Sequence, residues 1–515
     1  MKSVEIKLGT RESKLAWSQS QWVAQQIESK NENLKVKLVG IKTQGDLIQN
    51  IPLSQVEGKD FFTKELDLAL LRGDVDLTVH SFKDLSLDRP NEFCVAAVPS
   101  RENPRDILIC SEKIDQRIKD NKKIIIGTSS LRRVENVPEL LSSILPHHPN
   151  IELTNIRGNI DSRMDRLFLN ETHERYCDGI ILAHAGVKRL FDNLNEQLML
   201  REKFKKFKFM LLPISENPTA PAQGALAIEC RKNDIEIYNA IRKIHDPLTE
   251  SIINEERKIL RHYGGGCHQR FGVTQFDMSS LGVVQIMKGK SLKGESLDQY
   301  FWSKKPIRGE ENIVSLDPSD ALEKEVTSNS SEIKKAIDLL VNAKNKKVVF
   351  VAHSNAIENL SVDIFKVHRV YVSGLKSWRK LASRGIWVEG CAEGFGFEFI
   401  RNDIFSKMLS HNIDGLEKCV VLTHSGATAD WSGDEFVVCA PYTLSLRIKN
   451  KNYLTITDVY ISSLLEFDTL KTYVSETVRY ACGPGKTARK LNEKGIKNIQ
   501  IFPSKQEWKK WIKGE

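Results

Sequence analysis

The sequence predicts an α/β protein of several domains, with largely parallel sheets in its first half and a further α/β region behind them. Three observations carry that expectation. The chain has 515 residues, too many for one hydrophobic core. Short apolar runs alternate with loops and helix-length segments from the N-terminus to about residue 190, and again after residue 346. Several of those runs end on an arginine, a hydroxyl or both, at the strand ends where open α/β sheets bind ligands.

The elements follow in order. Residues 4–9 (VEIKLG) read as a strand, then Arg11 and Ser13 precede a helix from about Lys14 to Ser29, with Leu15, Trp22, Val23 and Ile27 at helical spacing. Ser13 is the expected N-cap, and with Arg11 it makes an anion site at exposed helix N–H groups. LKVKLVGIKTQGD (34–46) runs from strand to turn, and GKDFFTKE (58–65) opens a second helix. VDLTVH (75–80) alternates as a strand and delivers Lys83 and Asp84 at its C-terminal end, where a carboxylate is well placed for proton transfer. KKIIIG is followed by the hydroxyl-rich Thr128-Ser129-Ser130 and by Arg132-Arg133 at a helix start. IELTNI leads to Arg157 and a helix bearing Arg163 and Arg166, and GIILA leads to His184, Lys188 and Arg189. His184 alone reads as structural. Arginines converging from several strand ends suit a small ligand with many carboxylates or phosphates. With no Walker A loop and no GxGxxG fingerprint, a nucleotide is not that ligand.

Composition narrows the class. Hydrophobic residues make up 40% and charged residues 28%, as in ordinary globular proteins. The nine cysteines contain no C-x-x-C pair, so neither a zinc site nor a disulfide framework is expected. Reduced thiols, an N-terminus without an apolar stretch and no membrane-length run together predict a soluble, cytoplasmic protein. The net charge of +9 raises the possibility of nucleic acid. No helix-turn-helix, zinc-finger or aromatic-basic RNA motif supports it, and KFKKFK (203–208) reads as a solvated face. No metal is expected. In GGGCHQ (264–269) three glycines leave the backbone free to take positive φ and leave Cys267 uncovered, which suits a thiol that carries a covalent group.

Nine motifs in order resemble porphobilinogen deaminase, the hydroxymethylbilane synthase family: GTRESKLA (9–16), TQGD (43–46), GKDFFTKELD (58–67), VHSFKDL (79–85), GTSSLRR (127–133), IRGNIDSRMDRL (156–167), DGIILAHAGVKRL (178–190), PAQGALAIECR (221–231) and GGGCHQ (264–269). The resemblance implies a periplasmic-binding-protein-like core of two subdomains, residues 1–102 with 216–242 and residues 103–215. A small α+β cofactor-loop subdomain, 243–340, follows. It further implies a dipyrromethane cofactor bound covalently to Cys267, and polymerisation of four porphobilinogens to hydroxymethylbilane with loss of ammonia. Lys83 and Asp84 take the catalytic positions. Lys59, Ser129, Arg132, Arg133 and Asp84 take those that hold the cofactor, and Arg11, Ser13, Arg157, Arg163 and Arg189 those that hold substrate carboxylates. A monomer is expected. The sequence departs from the family at Ser86, where proline is common, at Gly264, where glutamate is common, and at the residues after Cys267.

Residues 341–515 resemble uroporphyrinogen III synthase through RYACGPGKTARK, Tyr442-Thr443 and Ser462-Ser463. Tyr442, Ser462, Gly483 and Thr487 are the substrate-contact positions this implies, and a fusion of consecutive reactions would make the chain bifunctional. The alternatives are a deaminase with a non-catalytic structural or regulatory tail, and a binding protein that captures polycarboxylates without chemistry. Cys267 together with Asp84 argues against the last, since capture needs neither. The polar stretch 317–332 and the helix EIKKAIDLLVNA read as the end of the deaminase or as a link.

Overall fold

The computed structural model describes residues 4–43, 63–266, 269–309, 313–343, 345–409, 418–449, 453–497 and 499–515. The chain divides into two compact units. One comprises Met1–Leu140, Asn150–Phe276 and Gln285–Tyr300, and the other Leu141–Pro149, Asp277–Val284 and Phe301–Glu515.

The first unit is built on two five-stranded sheets of the same plan. One contains β1 (Val4–Arg11), β2 (Leu34–Ile41), β3 (Leu77–Ser81), β4 (Phe93–Ala97) and, much later in the chain, β10 (Leu226–Arg231), in the order β2-β1-β3-β10-β4. The other contains β5 (Asp106–Ser111), β6 (Ile124–Gly127), β7 (Ile151–Thr154), β8 (Gly179–Ala183) and β9 (Phe207–Leu211), in the order β7-β6-β8-β5-β9. Each has three parallel strands and then an antiparallel one, β10 in the first and β5 in the second. The largely parallel sheets expected from the sequence are therefore mixed. The reason is the crossover: β5 is the first strand after the chain leaves one sheet for the other, and β10 the first after it returns. Two sheets joined by two crossovers are the architecture expected of a periplasmic-binding-protein-like core.

Local chemistry sets these elements. The helix Lys14–Lys30 begins where Ser13 Oγ accepts from Ala16 N at 3.3 Å. Val23 and Ile27 bury against Ile6, Leu8, Leu77 and Val79 of the sheet. Trp22, expected on that buried face, is exposed instead, so the apolar stripe is narrower than its spacing suggested. At the other end of the core, Asp246 caps the helix Pro247–His262 by accepting from Leu248 N and Thr249 N. Leu260 of this helix packs with Phe271, Val273, Met287 and Leu297 of a three-stranded sheet, β11 (Arg270–Met278), β12 (Gly282–Lys290) and β13 (Ser296–Trp302).

The second unit has two lobes of its own. A four-stranded parallel sheet runs β14 (Ser315–Leu316), β21 (Asp458–Ile461), β22 (Arg479–Cys482), β23 (Ile499–Ile501). A six-stranded sheet orders β15 (Leu322–Ser328), β20 (Phe436–Ile448), β19 (Cys419–His424), β16 (Val348–Val351), β17 (Arg369–Val372) and β18 (Gly390–Cys391). The long antiparallel ladder β15–β20 links the lobes: Ser328 faces Tyr442 at one end, while Leu322, Leu446 and Ile448 join the core of the four-stranded lobe at the other.

A domain boundary at residue 340 does not fit this pairing. β14, β15 and the helix Ser330–Val341 belong to the second unit, where Glu332 accepts from Ala440 N at 2.9 Å and Lys335 donates to Val438 O at 2.8 Å. Among the described residues no helix is long and apolar enough to cross a membrane.

Candidate active site

β3 lies inside its sheet, between β1 and β10, and ends in a single 3₁₀ turn, Phe82–Asp84. Phe82 is buried and its N–H donates to Ala225 O at 3.0 Å, which turns the two residues after it outward. Asp84 is exposed. Lys83 is partly open at its surface but deeply enclosed, and burial lowers its ammonium pKa; the nearby charges of Arg132 and Arg133 act in the same direction, against Asp84 and Asp106. Lys83 thus lies within electrostatic reach of Arg132 and Arg133 on the second sheet.

Arg132 and Arg133 are placed differently from the expectation. Both are buried and both turn inward onto Asp106, which is fully buried at the start of β5. Asp106 accepts from Arg132 Nη2 at 2.7 Å, from Arg133 Nη2 at 2.7 Å and Nε at 3.0 Å, from Asn217 Nδ2 at 2.9 Å and from Gln223 Nε2 at 2.8 Å. Although burial opposes it, the two guanidinium groups hold the Asp106 carboxyl far below the usual range. Arg132 Nη1 is taken by Asn217 Oδ1 and Pro218 O, and Arg133 Nη1 by Ile181 O. Only Arg132 Nε is left without a hydrogen-bond partner. Two cations against one carboxylate leave one surplus positive charge, so this pair contributes field more than hydrogen bonds.

Arg157, Arg163 and Arg166 do form a cluster. Burial first, then Arg133, Arg166 and Arg157, hold Arg163 down to about 10. No carboxylate among the described residues pairs with any of these three. The loop that carries them depends on Gly158, at φ +106°, where a Cβ would come 2.1 Å from Ser162 Oγ. Asn159 then caps the short helix, accepting from Ser162 N at 2.8 Å, and Arg163 Nε donates to Gly158 O at 2.8 Å. Ser129 is exposed in the loop ahead of Arg132.

Arg189 stands apart from the cluster. Burial lowers it to about 10, and its Nη2 donates to Gly224 O at 2.7 Å, on the returning crossover. Arg11 is half-buried at the end of β1, and the Ser13 hydroxyl serves its helix cap. Lys59 and Cys267 lie outside the described residues. The turn that leads to Cys267 is described: Gly264, Gly265 and Gly266 have φ of +95°, +68° and +93°. These are the left-handed conformations the glycine run was expected to need. Gln269 Nε2 donates to Tyr263 O and Gly265 O, both at 3.1 Å, and clasps the turn.

A cavity of about 540 Å³ lies by the same loop, lined by Phe82, Leu85, Leu87, Arg89, Arg257 and Arg261 among others, but it includes neither Asp84 nor the arginine cluster. Nearby, Asp67, His80 and Glu229 approach one another closely enough for a metal, yet Arg89 bridges Asp67 and Glu229 at 2.6 and 2.7 Å and already supplies the cation.

In the second unit, Ser462, Gly483 and Thr487 come together at the ends of β21 and β22, with Thr487 Oγ1 donating to Ser462 O at 3.0 Å. Tyr442 sits on the other sheet, its ring 5.8 Å from that of His424, and burial pushes its phenol up to about 12. The lobes meet where Lys486 lies 3.3 Å above the Trp431 ring and Lys490 pairs with Asp430. Burial lowers Lys486 to about 8. Asp106 and Lys486 escaped the sequence reading. Asp106 is separated from Arg132 by 26 residues, and only the fold joins them.

Residues 6–239 match the family model described as "Porphobilinogen deaminase, dipyromethane cofactor binding domain". The porphobilinogen deaminase of Syntrophotalea carbinolica is 34% identical over 302 residues, 58% of this chain and 88% of that protein. That of Geotalea daltonii is 36% identical over 291 residues, 56% and 83%. The chain belongs to the porphobilinogen deaminase family. Its cofactor is therefore the family's dipyrromethane, and the site's chemistry fits that group: Arg157, Arg163 and Arg166 pair with no carboxylate among the described residues, and nothing among those residues lies within 4 Å of a Cβ placed at Gly266. Among solved structures, the periplasmic binding protein of an arginine transport system from Legionella pneumophila is similar at a TM-score of 0.23 and 14% identity, over 51% of this chain and 98% of that one, a likeness too slight to weigh here.

Proposed function

We propose that the chain converts four porphobilinogens to hydroxymethylbilane in its first unit and closes that product to uroporphyrinogen III in its second. The deaminase activity follows from the family. The observation that carries its assignment to residues is the cluster of Arg157, Arg163 and Arg166, which pairs with no carboxylate among the described residues and shares with Lys83 the nearby charge of Arg133. Each porphobilinogen brings an acetate and a propionate, and Arg157, Arg163 and Arg166 offer those carboxylates charge that no carboxylate among the described residues consumes. Arg11, Ser129 and Lys83 add donors at neighbouring strand ends. Arg189 and Ser13 act behind them, fixing a crossover and a helix start.

Asp84 presents its carboxylate to the cleft where ammonia departs, stabilising the positive charge that develops on the pyrrole and moving the proton. Lys83, whose burial lowers its ammonium pKa with Arg133 and Arg132 acting in the same direction, stands beside Asp84 and orients it when protonated. When bound through Cys267, the dipyrromethane supplies the primer that the first porphobilinogen joins.

For the second unit the support is architectural. Two α/β lobes joined by one ladder each place a hydroxyl just past a strand end and a second beside it: Ser425 with Thr443 of β20 in one, and Ser462 with Thr487 at a helix start in the other. The test is to supply porphobilinogen alone, oxidise the products and resolve the uroporphyrin isomers. The free linear tetrapyrrole closes spontaneously to type I, whereas enzymatic closure with inversion of the last ring gives type III. Mostly type III is expected. Type I alone would leave the deaminase standing and make the second unit a non-catalytic appendage.

A further inference from the structure

The turn that holds Asp84 has little rigidity of its own. Its one internal hydrogen bond is Leu85 N–H to Phe82 O at 3.3 Å, and a lone 3₁₀ turn of three residues is a weak platform for a group that must be placed within a fraction of an ångström. The stiffness comes from the helix Pro247–His262. Arg257 Nη1 donates to Phe82 O at 3.1 Å and to Leu85 O at 3.0 Å, and its Nη2 donates to Ser86 O at 2.8 Å. The guanidinium also lies 4.7 Å above the Phe82 ring. One turn further along the helix, Arg261 Nη2 donates to Leu87 O at 2.8 Å. Four carbonyls of one loop thus converge on two side chains of one helix.

The geometry points to Arg257 as a positioning residue for the deaminase reaction: it clamps the Phe82–Ser86 backbone and so sets where the Asp84 carboxylate stands in the cleft. A planar fork reaches three carbonyls from two nitrogens held at a fixed spacing, a span that the single ammonium nitrogen of a lysine does not reproduce. The arrangement reaches further along the same helix. Its C-terminus runs into Gly264–Gly266, and a Cβ at Gly265 would lie 3.1 Å from Leu87 Cδ1. One helix therefore holds the loop that bears Asp84 and begins the turn that leads to Cys267. Ser86, which stands where the family commonly has proline, gives that backbone more freedom to lose and makes the clamp on its carbonyl matter more here.

The inference rests on Asp84 being the proton-transfer group, and the experiment separates the two. Arg257→Gln, Arg257→Lys and Asp84→Ala are prepared with porphobilinogen present, and rates are expressed per mole of chain carrying covalent cofactor. For Arg257→Gln, kcat falls about 10- to 100-fold, while KM for porphobilinogen changes less than about threefold, because the carboxylate receptors are untouched. Backbone amides of residues 83–87 exchange faster, and Arg257→Lys recovers part of kcat. A merely structural role would lower the yield of loaded enzyme and leave kcat per loaded chain unchanged, which overturns the inference; so does a rise in KM at unchanged kcat. If Arg257→Gln does not accumulate as holoenzyme, Arg257→Lys decides, and a wild-type kcat there overturns it. Turnover surviving in Asp84→Ala removes the reading beneath it, whereas a dead Asp84→Ala beside normal Arg257 variants removes only the clamp.

Discussion

Asp106→Asn is the sharpest probe of how the cleft is held. The substitution keeps the shape of a fully buried side chain and removes the one negative charge between Arg132 and Arg133, whose own exposures are 3% and 6%. Five hydrogen bonds now converge on the carboxylate. In the variant one of the two oxygens becomes an NH2 that faces donors, and two guanidinium groups stay buried without that counter-ion. Breaking one side of a buried pair costs roughly 3–5 kcal/mol. For a unit of this size, with about 2–4 °C per kcal/mol, the midpoint of its thermal unfolding should drop by on the order of 10 °C. Circular dichroism melts from pH 3 to 8 give the assay. Because the folded Asp106 pKa is depressed far below the ~3.9 of an unfolded chain, its contribution is fully present above about pH 4 and fades as the pH falls below that value. The difference between wild type and variant should be flat from pH 5 to 8 and shrink below pH 4. A difference under about 1 kcal/mol at pH 7, or one that widens on acidification, would refute the argument.

Two further outcomes follow from other parts of the molecule. Gly158→Ala should destabilise the first unit by about 1–3 kcal/mol, since residue 158 has φ +106° and the new methyl meets Ser162 Oγ; a melting temperature equal to wild type contradicts this. Lys486 is lowered to about 8 from the ordinary lysine value, so the unfolded chain binds more protons than the folded one between about pH 8 and 10.4. Stability of the second unit should therefore rise with pH across that window, and Lys486→Met should flatten the rise; parallel melting curves for the two proteins would exclude Lys486 as the source.

Much of the first unit was legible because several of its strands are short buried apolar runs. Ile124–Gly127 and Gly179–Ala183 could be read from apolarity alone. What failed did so for physical reasons. The strand Leu322–Ser328 has six exposed residues in seven, so its sequence shows no alternation, and it is a strand only because β20 lies beside it. The contact of Arg132 and Arg133 with Asp106 was not legible, because a sequence displays two arginines but not the carboxylate that meets them in the fold. The glycine run before Cys267 was read correctly from chemistry that is local: consecutive left-handed residues exclude most other side chains.

The ladder that links the two lobes of the second unit also fixes when that unit can form. Ser315–Leu316 pairs with Asp458–Val459, and Leu322–Ser328 with Tyr442–Ile448. At roughly 5–20 residues per second, strands β14 and β15 leave the ribosome on the order of 10 s or more before their partners exist. The first unit has a wait of similar length, since β3 pairs with β10, but it ends once Leu226–Arg231 emerges and completes the sheet that β1 began. The deaminase core can thus assemble while the second half of the chain is still being made, and the C-terminal lobes close last, around segments held open until nearly the whole protein has emerged.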